Sequence, residues 1–163
     1  IKYTVGKGAY GYHGLGDLFV FLFFGLLSVM GAYFLMTHHI LPAIFLPAAA
    51  IGFLSTGVLN LNNMRDIEND RHCNKKTLPV LIGISTAKKY HFALIAAAFI
   101  CMGIYSILCY QAFYNFSFLL TLPLFVFHLK QVDRNQGKAL DGQLKILSLS
   151  TLLFALLSGF GML

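Results

Sequence analysis

The sequence predicts an all-α, polytopic transmembrane helix bundle, and three observations lead to that fold class. Hydrophobic residues make up 58% of the 163 residues and charged residues only 11%, whereas soluble domains average about 25% charged residues. Three long stretches contain no Asp, Glu, Lys or Arg, and every basic residue falls outside them. Together these features exclude a soluble domain, a disordered chain and a small protein held together by disulfides.

The charge-free stretches set the number of helices. They run from Leu18 to Met64, from Tyr90 to Leu129 and from Ile146 to Leu163. A helix that crosses a bilayer needs about 20 residues, so the first two stretches each hold two helices and the third holds one. Polar or proline-containing segments at 37–42 and 110–115 divide the longer stretches. The predicted spans lie near residues 18–36, 42–61, 90–109, 116–128 and 146–163.

The twelve Lys and Arg residues lie in alternate loops on one side of the predicted bundle. These loops are 1–17, 62–89 and 129–145, and the two opposite turns contain no basic residue. By the positive-inside rule, we expect the basic loops to face the cytoplasm. The formal net charge of +6 is also compatible with nucleic-acid binding, but so few charges favour the membrane explanation. No nucleic-acid partner is expected, and the sequence carries no signal for an oligomeric state.

An acidic segment follows the second predicted span. Asn62, Asp66 and Asp70 are spaced by four residues, so on a helix they would lie along one face, with Asn63 and Arg65 beside it. Oxygen-bearing side chains of this kind suit Mg²⁺, which uses substrate phosphates as its other ligands. A solvated helix end of mixed charge is the simpler interpretation. It accounts less well for aligned acids at the membrane boundary, where they are costly and usually functional.

Two further segments could contact an anionic substrate. Lys75 and Lys76 follow the acidic segment, and lysines can bind a diphosphate directly or merely set the topology and contact anionic lipid. Five of the fifteen glycines lie between Gly6 and Gly16. This leading segment is either a close-approach loop whose tyrosines and lysine line a polar pocket or a plain linker.

With these segments identified, the chain resembles the C-terminal part of a UbiA-superfamily membrane prenyltransferase, and within it the menaquinone-pathway 1,4-dihydroxy-2-naphthoate polyprenyltransferases. The resemblance covers essentially the whole chain. Its most specific part is the Asn-Asn-x-Arg-Asp-x-x-x-Asp stretch that begins at Asn62. The other matching positions are Tyr3-Thr4, Tyr12, Gly14 to Leu18 leading into 19–25, Lys75 to Leu78, and Gly83.

The resemblance implies a nine-helix bundle with two Asp-rich motifs that face each other across a cavity and bind Mg²⁺ and the diphosphate of a polyprenyl donor. The chain resembles helices five to nine and contains only the second motif, so we expect it to be a fragment. The implied acceptor is an aromatic ring, 1,4-dihydroxy-2-naphthoate, which loses its carboxyl group, and the implied location is a bacterial inner membrane. The implied catalytic residues are Asp66, Asp70 and Arg65; the implied metal ligands are Asn62, Asp66 and Asp70; and the implied diphosphate contacts are Asn62, Asn63, Lys75, Lys76, Tyr3 and Lys7.

Two other functions are weighed against prenyl transfer. A phosphotransferase acting on CDP-linked lipids would carry an Asp-Gly-x-x-Ala-Arg stretch before its acidic ladder, and this sequence has Leu59 to Arg65 there. A non-enzymatic transporter or scaffold subunit would more naturally place ionisable groups in the middle of its spans. His128 closes the fourth predicted span, and we expect it to mark the membrane interface.

Overall fold

The computed structural model of the protein describes residues 14–162, and within that range every regular element is a helix. Two of the seven helices are short and lie between the second and third long ones. In chain order the helices are α1 (Gly16–Thr37), α2 (Pro42–Arg65), α3 (Ile67–His72), α4 (Leu78–Ile82), α5 (Ile84–Leu108), α6 (Phe113–Arg134) and α7 (Gly137–Phe160).

Five of these helices, α1, α2, α5, α6 and α7, are long and apolar enough to cross a membrane. The predicted fold class and the predicted number of spans are therefore confirmed. The helices extend beyond the charge-free stretches. Charged residues are excluded from the bilayer interior, but the helical backbone can continue through them outside it. Thus α2 extends to Arg65, α5 begins at Ile84 and α6 extends to Arg134.

The long helices alternate in direction, so that their charged termini gather at one end of the bundle. There the Arg65 side chain at the end of α2 contacts Asp141 in α7. The Lys88 ammonium near the start of α5 donates to the main-chain carbonyl of Asp133 near the end of α6, at 2.7 Å. We call this side of the molecule the charged end.

Helix α2 is the centre of the bundle and packs against α1, α5 and α7. Its buried surface carries many small residues, because a small side chain lets a neighbouring backbone approach closely. The tightest approach joins α1 and α2: a Cβ added to Gly25 would lie 2.8 Å from the main-chain nitrogen of Gly52. Gly25 belongs to a π-helical stretch, Phe21–Leu27.

The opposite end of the bundle is closed around one buried side chain, Asn115. Its Oδ1 accepts hydrogen bonds from the main-chain N–H groups of Gln111 at 3.1 Å and Ala112 at 2.8 Å. Its Nδ2 donates to the carbonyl of Gly161 at 2.9 Å, and its own carbonyl accepts from the Ser106 hydroxyl at 2.8 Å. One residue thus joins α5, α6 and the end of α7.

Candidate active site

The acidic segment leaves α2 through a bend rather than a straight helix. Helix α2 ends at Arg65, and Asp66 has φ −96° and ψ 11°, outside the helical region. The four-residue hydrogen bonding nevertheless continues: the Asp66 N–H donates to the Asn62 carbonyl at 3.1 Å, and the Asp70 N–H donates to the Asp66 carbonyl at 2.8 Å. The predicted spacing therefore persists, but the three side chains enter different surroundings.

Asp66 is held by the guanidinium of Arg65. The Arg65 Nε donates to Asp66 Oδ1 at 2.8 Å and its Nη2 donates to Asp66 Oδ2 at 2.6 Å. The hydrogen bonding from Arg65 lowers the pKa of the Asp66 carboxyl, and Lys75 contributes electrostatically in the same direction. A second carboxylate, Asp141, accepts from Arg65 Nη1 at 3.3 Å. No sequence pattern connects Asp141 to this pair, because it lies on the last helix and only the fold brings it there.

Arg65 and Asp66 line a polar pocket of about 410 Å³ at the charged end. Arg65 in α2, Arg71 in α3 and Lys138 in the first turn of α7 contribute cationic side chains to its lining, and both residue types are suited to phosphate oxygens. The pocket is large enough for a charged head group. Its lining consists of Arg65, Asp66, Ile67, Glu68, Asn69, Arg71, Ile84, Gln136, Gly137 and Lys138.

Asp70 has a separate local environment. It is buried, with 4% of its surface exposed. Its Oδ1 accepts from the Lys75 ammonium at 3.1 Å and its Oδ2 accepts from the Thr77 hydroxyl at 3.3 Å. The structure thus brings Lys75 to the acidic segment, as the sequence suggested, but as the partner of a buried carboxylate.

Asn62 faces an apolar cavity of about 450 Å³ between α1, α2 and α7. Asn62 lies three residues before Arg65, within the last turn of α2, so this cavity and the polar pocket adjoin the same turn. Thr151 on α7 contributes a buried hydroxyl for which residues 14–162 supply no hydrogen-bond partner. The remaining lining residues are Val20, Phe24, Ser55, Val58, Leu59, Leu144 and Ser148.

The other predicted site residues are distributed more widely. Asn63 is buried beside the end of α2, and Lys76 is exposed. Tyr3 and Lys7 lie outside the described residues. The structure therefore groups Arg65 with Asp66 and groups Asp70 with Lys75, while Asn62 borders the neighbouring apolar cavity.

Comparison with known proteins gives this arrangement a context. The model of the UbiA prenyltransferase family matches residues 1–151. The chain belongs to that family. Together with the five apolar helices, this membership makes the chain an integral membrane protein.

Individual relatives narrow the comparison within the family. The chain is 42% identical to the 1,4-dihydroxy-2-naphthoate octaprenyltransferase of Escherichia coli, over 96% of the chain and 52% of that protein. It is 44% identical to the protein of the same name from Haemophilus influenzae, over 78% of the chain and 42% of that protein. It is 32% identical to human UbiA prenyltransferase domain-containing protein 1, over 83% of the chain. The chain thus spans about half the length of the curated relatives it matches.

The oxygen donors present fit a hard divalent cation in their chemistry. Asp66 and Asp70 offer carboxylates and Asn62 offers an amide oxygen, the ligand types that Mg²⁺ takes in proteins. Both carboxylates are paired with cations, Asp66 with Arg65 and Asp70 with Lys75. Within residues 14–162, no group of three His, Cys, Asp or Glu side chains is arranged to hold a metal. Asp66 keeps 35% of its side chain exposed, so it is the more accessible of the two.

Sequence reasoning missed a polar chain beneath the charged end. His91 Nε2 and His128 Nε2 are 2.9 Å apart, and His128 Nδ1 lies 3.1 Å from Gln143 Oε1. Both imidazoles are fully buried. We expected His128 to close the fourth span at the membrane interface. In the structure α6 continues to Arg134, and the buried His128 ring points into the bundle and joins α5 to α7.

Proposed function

We propose that this chain forms part of an enzyme that transfers a polyprenyl group from an allylic polyprenyl diphosphate to 1,4-dihydroxy-2-naphthoate, with loss of the carboxyl group as CO₂. The observation that carries the proposal is the junction at the end of α2. There an apolar cavity bordered by Asn62 adjoins a polar pocket lined by Arg65 and Asp66. A molecule with a long apolar tail and a diphosphate head matches that pair of cavities. The names of the bacterial relatives support the same choice.

The polar pocket would act on the leaving group. When the allylic C–O bond breaks, its electron pair goes to the diphosphate, whose added negative charge must be stabilised. Cationic side chains already in place at that position are an effective source of stabilisation. Arg65, Arg71 and Lys138 line the pocket, and we assign the diphosphate to them.

We further propose that Asp66, Asp70 and Asn62 hold Mg²⁺, as the resemblance implies. Bound there, Mg²⁺ would neutralise the charge on the departing diphosphate. Arg65 is close enough to both Asp66 and Asp141 to exchange one carboxylate for the other when Asp66 binds a cation.

The apolar cavity would protect the allylic cation. Its lining surface is largely apolar, with Phe24 part of it, and apolar surroundings hold little of the water that would otherwise capture the cation. The electron-rich acceptor ring then attacks the cationic carbon and forms the new C–C bond. The carboxyl group at that ring position leaves as CO₂, and its bonding electrons restore the aromatic ring.

We propose that the charged end faces the cytoplasm of a bacterial inner membrane, since the basic residues gather on that side. Cysteine labelling supplies the test. Cys73 is exposed in the loop at the charged end, so a membrane-impermeant maleimide should label it only after the membrane is opened. Labelling of Cys73 in intact cells would contradict the proposed orientation and place the charged end outside the cytoplasm.

The activity is tested in membranes that express the complete reading frame. These membranes should convert a labelled polyprenyl diphosphate and 1,4-dihydroxy-2-naphthoate into a prenylated naphthoquinol, and carboxyl-labelled acceptor should release one CO₂ per transfer. EDTA should stop the reaction and Mg²⁺ should restore it. Turnover of 4-hydroxybenzoate in place of the naphthoate would contradict the proposed acceptor but not the proposed prenyl donor.

A further inference from the structure

A second apolar groove lies on the outer surface of the bundle, between α5 and α6. Its volume is about 430 Å³. It has no lining residue in common with the polar pocket or with the apolar cavity beside Asn62. The residues that define it are Phe92, Ala93, Ala96, Phe99, Leu122 and Val126.

The groove faces outward, and aromatic side chains form its base. On α5, His91, Leu94 and Ala98 are buried, whereas Ala93 and Ala96 on the other face are exposed. Beneath them Phe99 meets Phe125 edge to face, with ring centroids 5.3 Å apart. The small alanine side chains leave an open channel beside this aromatic floor.

Two lysines stand at the end of the groove that lies nearest the charged end. Lys89 precedes Phe92 and Ala93 by three and four residues, and Lys130 follows Val126 by four, so each lies on the helix face that lines the groove. Both are exposed. Neither side chain forms an ion pair or hydrogen bond with any residue in 14–162.

Among residues 14–162, the neighbouring charged groups form no ion pair with either lysine. Lys88, next to Lys89, is tied to the carbonyl of Asp133. The carboxylate of Asp133, three residues from Lys130, makes no ion pair within the described range, and Arg134 adds another positive charge one turn beyond Lys130. The groove therefore ends beside two exposed lysine side chains that form no ion pair within residues 14–162.

We propose that this groove binds an anionic phospholipid, with one acyl chain along the α5–α6 channel and its phosphate between Lys89 and Lys130. From Phe92 to Phe99 the channel follows about two turns of helix, or about 10 Å, which suits the upper part of an acyl chain. Basic residues between transmembrane helices attract anionic head groups in this way. The proposal does not depend on prenyl transfer, since the groove is separate from the candidate active site.

The test measures lipid binding to the detergent-purified product of the complete reading frame by native mass spectrometry, with phosphatidylglycerol and phosphatidylcholine as the two probes. The wild type should retain one phosphatidylglycerol in preference to phosphatidylcholine. Lys89→Gln and Lys130→Gln should each reduce that preference by about fivefold, and the double variant should abolish it. Lys145→Gln is the matched control: it removes the same charge from an exposed position on α7 and should leave the preference unchanged.

A groove-filling variant separates the channel from the charge. Ala96→Phe places a large ring in the exposed channel, so it should reduce retention of both lipids while circular dichroism stays the same. An equal loss in Lys145→Gln would overturn the proposal in favour of diffuse attraction. An unchanged preference in the double variant would also overturn it, as would displacement of the lipid by farnesyl diphosphate, since the groove would then belong to the substrate.

Discussion

The guanidinium of Arg65 donates two hydrogen bonds, of 2.8 and 2.6 Å, to the carboxylate of Asp66, its immediate neighbour in the chain. Consecutive side chains on a regular helix point about 100° apart and do not face each other. The pair forms because α2 ends at Arg65 and the backbone turns at Asp66. The bend at the end of α2 therefore gives the site its charge arrangement.

Asp66→Asn should reduce prenyl transfer by about 100-fold or more, because it removes the charge of the accessible carboxylate without changing its size. The measurement is the initial rate in membranes expressing the complete reading frame at saturating Mg²⁺, with protein amounts equalised by immunoblot. Asp133→Asn is the control, since Asp133 is exposed near the end of α6, does not line the polar pocket and undergoes the same chemical change. Equal losses in the two variants would remove Asp66 from the site.

The stabilising effect of the Arg65–Asp66 pair should disappear in acid. The folded protein lowers the pKa of Asp66 through its hydrogen bonds with Arg65, so the pair contributes fully above the ordinary carboxyl pKa of about 3.9. The contribution is lost as pH falls through the lowered pKa. Both side chains are partly exposed, which limits the effect to about 1 kcal/mol at most.

This pH dependence is measured as the difference in thermal midpoint between the wild type and Asp66→Asn in detergent. We expect a constant difference from about pH 7 to about pH 5 and convergence of the two curves below about pH 4. A difference that grows on acidification has the wrong sign for a lowered carboxyl pKa and would contradict the assignment.

Gly25→Ala should destabilise the bundle by about 1–3 kcal/mol. The added methyl group would overlap the backbone of Gly52 on α2, which has no flexible side chain to move aside. Gly31→Ala on the same helix is the control, because nothing lies within 4 Å of its added Cβ and alanine favours helix over glycine. The free energy of unfolding in detergent compares them; equal stabilities would show that α1 shifts readily along α2.

The buried chain from His91 through His128 to Gln143 should give a measurable coupling between helices. His128→Leu removes the partner of both neighbours, so it should destabilise the protein more than Gln143→Leu, which removes one. A double-mutant cycle between positions 91 and 128 should give a coupling free energy between about 0.6 and about 1.7 kcal/mol. These are the average and the maximum found for hydrogen bonds between membrane helices. Additive effects of the two substitutions would mean that the 2.9 Å contact contributes nothing.

The membrane spans were predictable from the sequence because charge is excluded from the bilayer interior, so the gaps between charged residues record the helices directly. The acidic segment was found for a related reason: Asp66 and Asp70 stand where the apolar stretch ends. The bend at Asp66 was not predictable, since neither proline nor glycine marks it. The main-chain hydrogen bonds from Asn62 through Asp66 to Asp70 also keep the helical spacing across it.

Contacts between distant segments explain the remaining differences. Asp141 meets Arg65 only because α7 begins beside the end of α2. His128 looked interfacial because it closes an apolar stretch, yet helix α6 continues for another six residues and turns its ring toward His91. Neither contact leaves a local pattern, since each depends on which faces of separate helices pack together.

The two ends of the bundle are secured by different kinds of contact. Around Asn115 the hydrogen bonds join α5, the α5–α6 connection and the end of α7 to one buried residue, whereas at the charged end Asp141 keeps 62% of its side chain exposed while holding Arg65. Water and salt weaken exposed contacts of that kind. High salt should therefore loosen the Arg65–Asp141 contact while the hydrogen bonds around Asn115 persist.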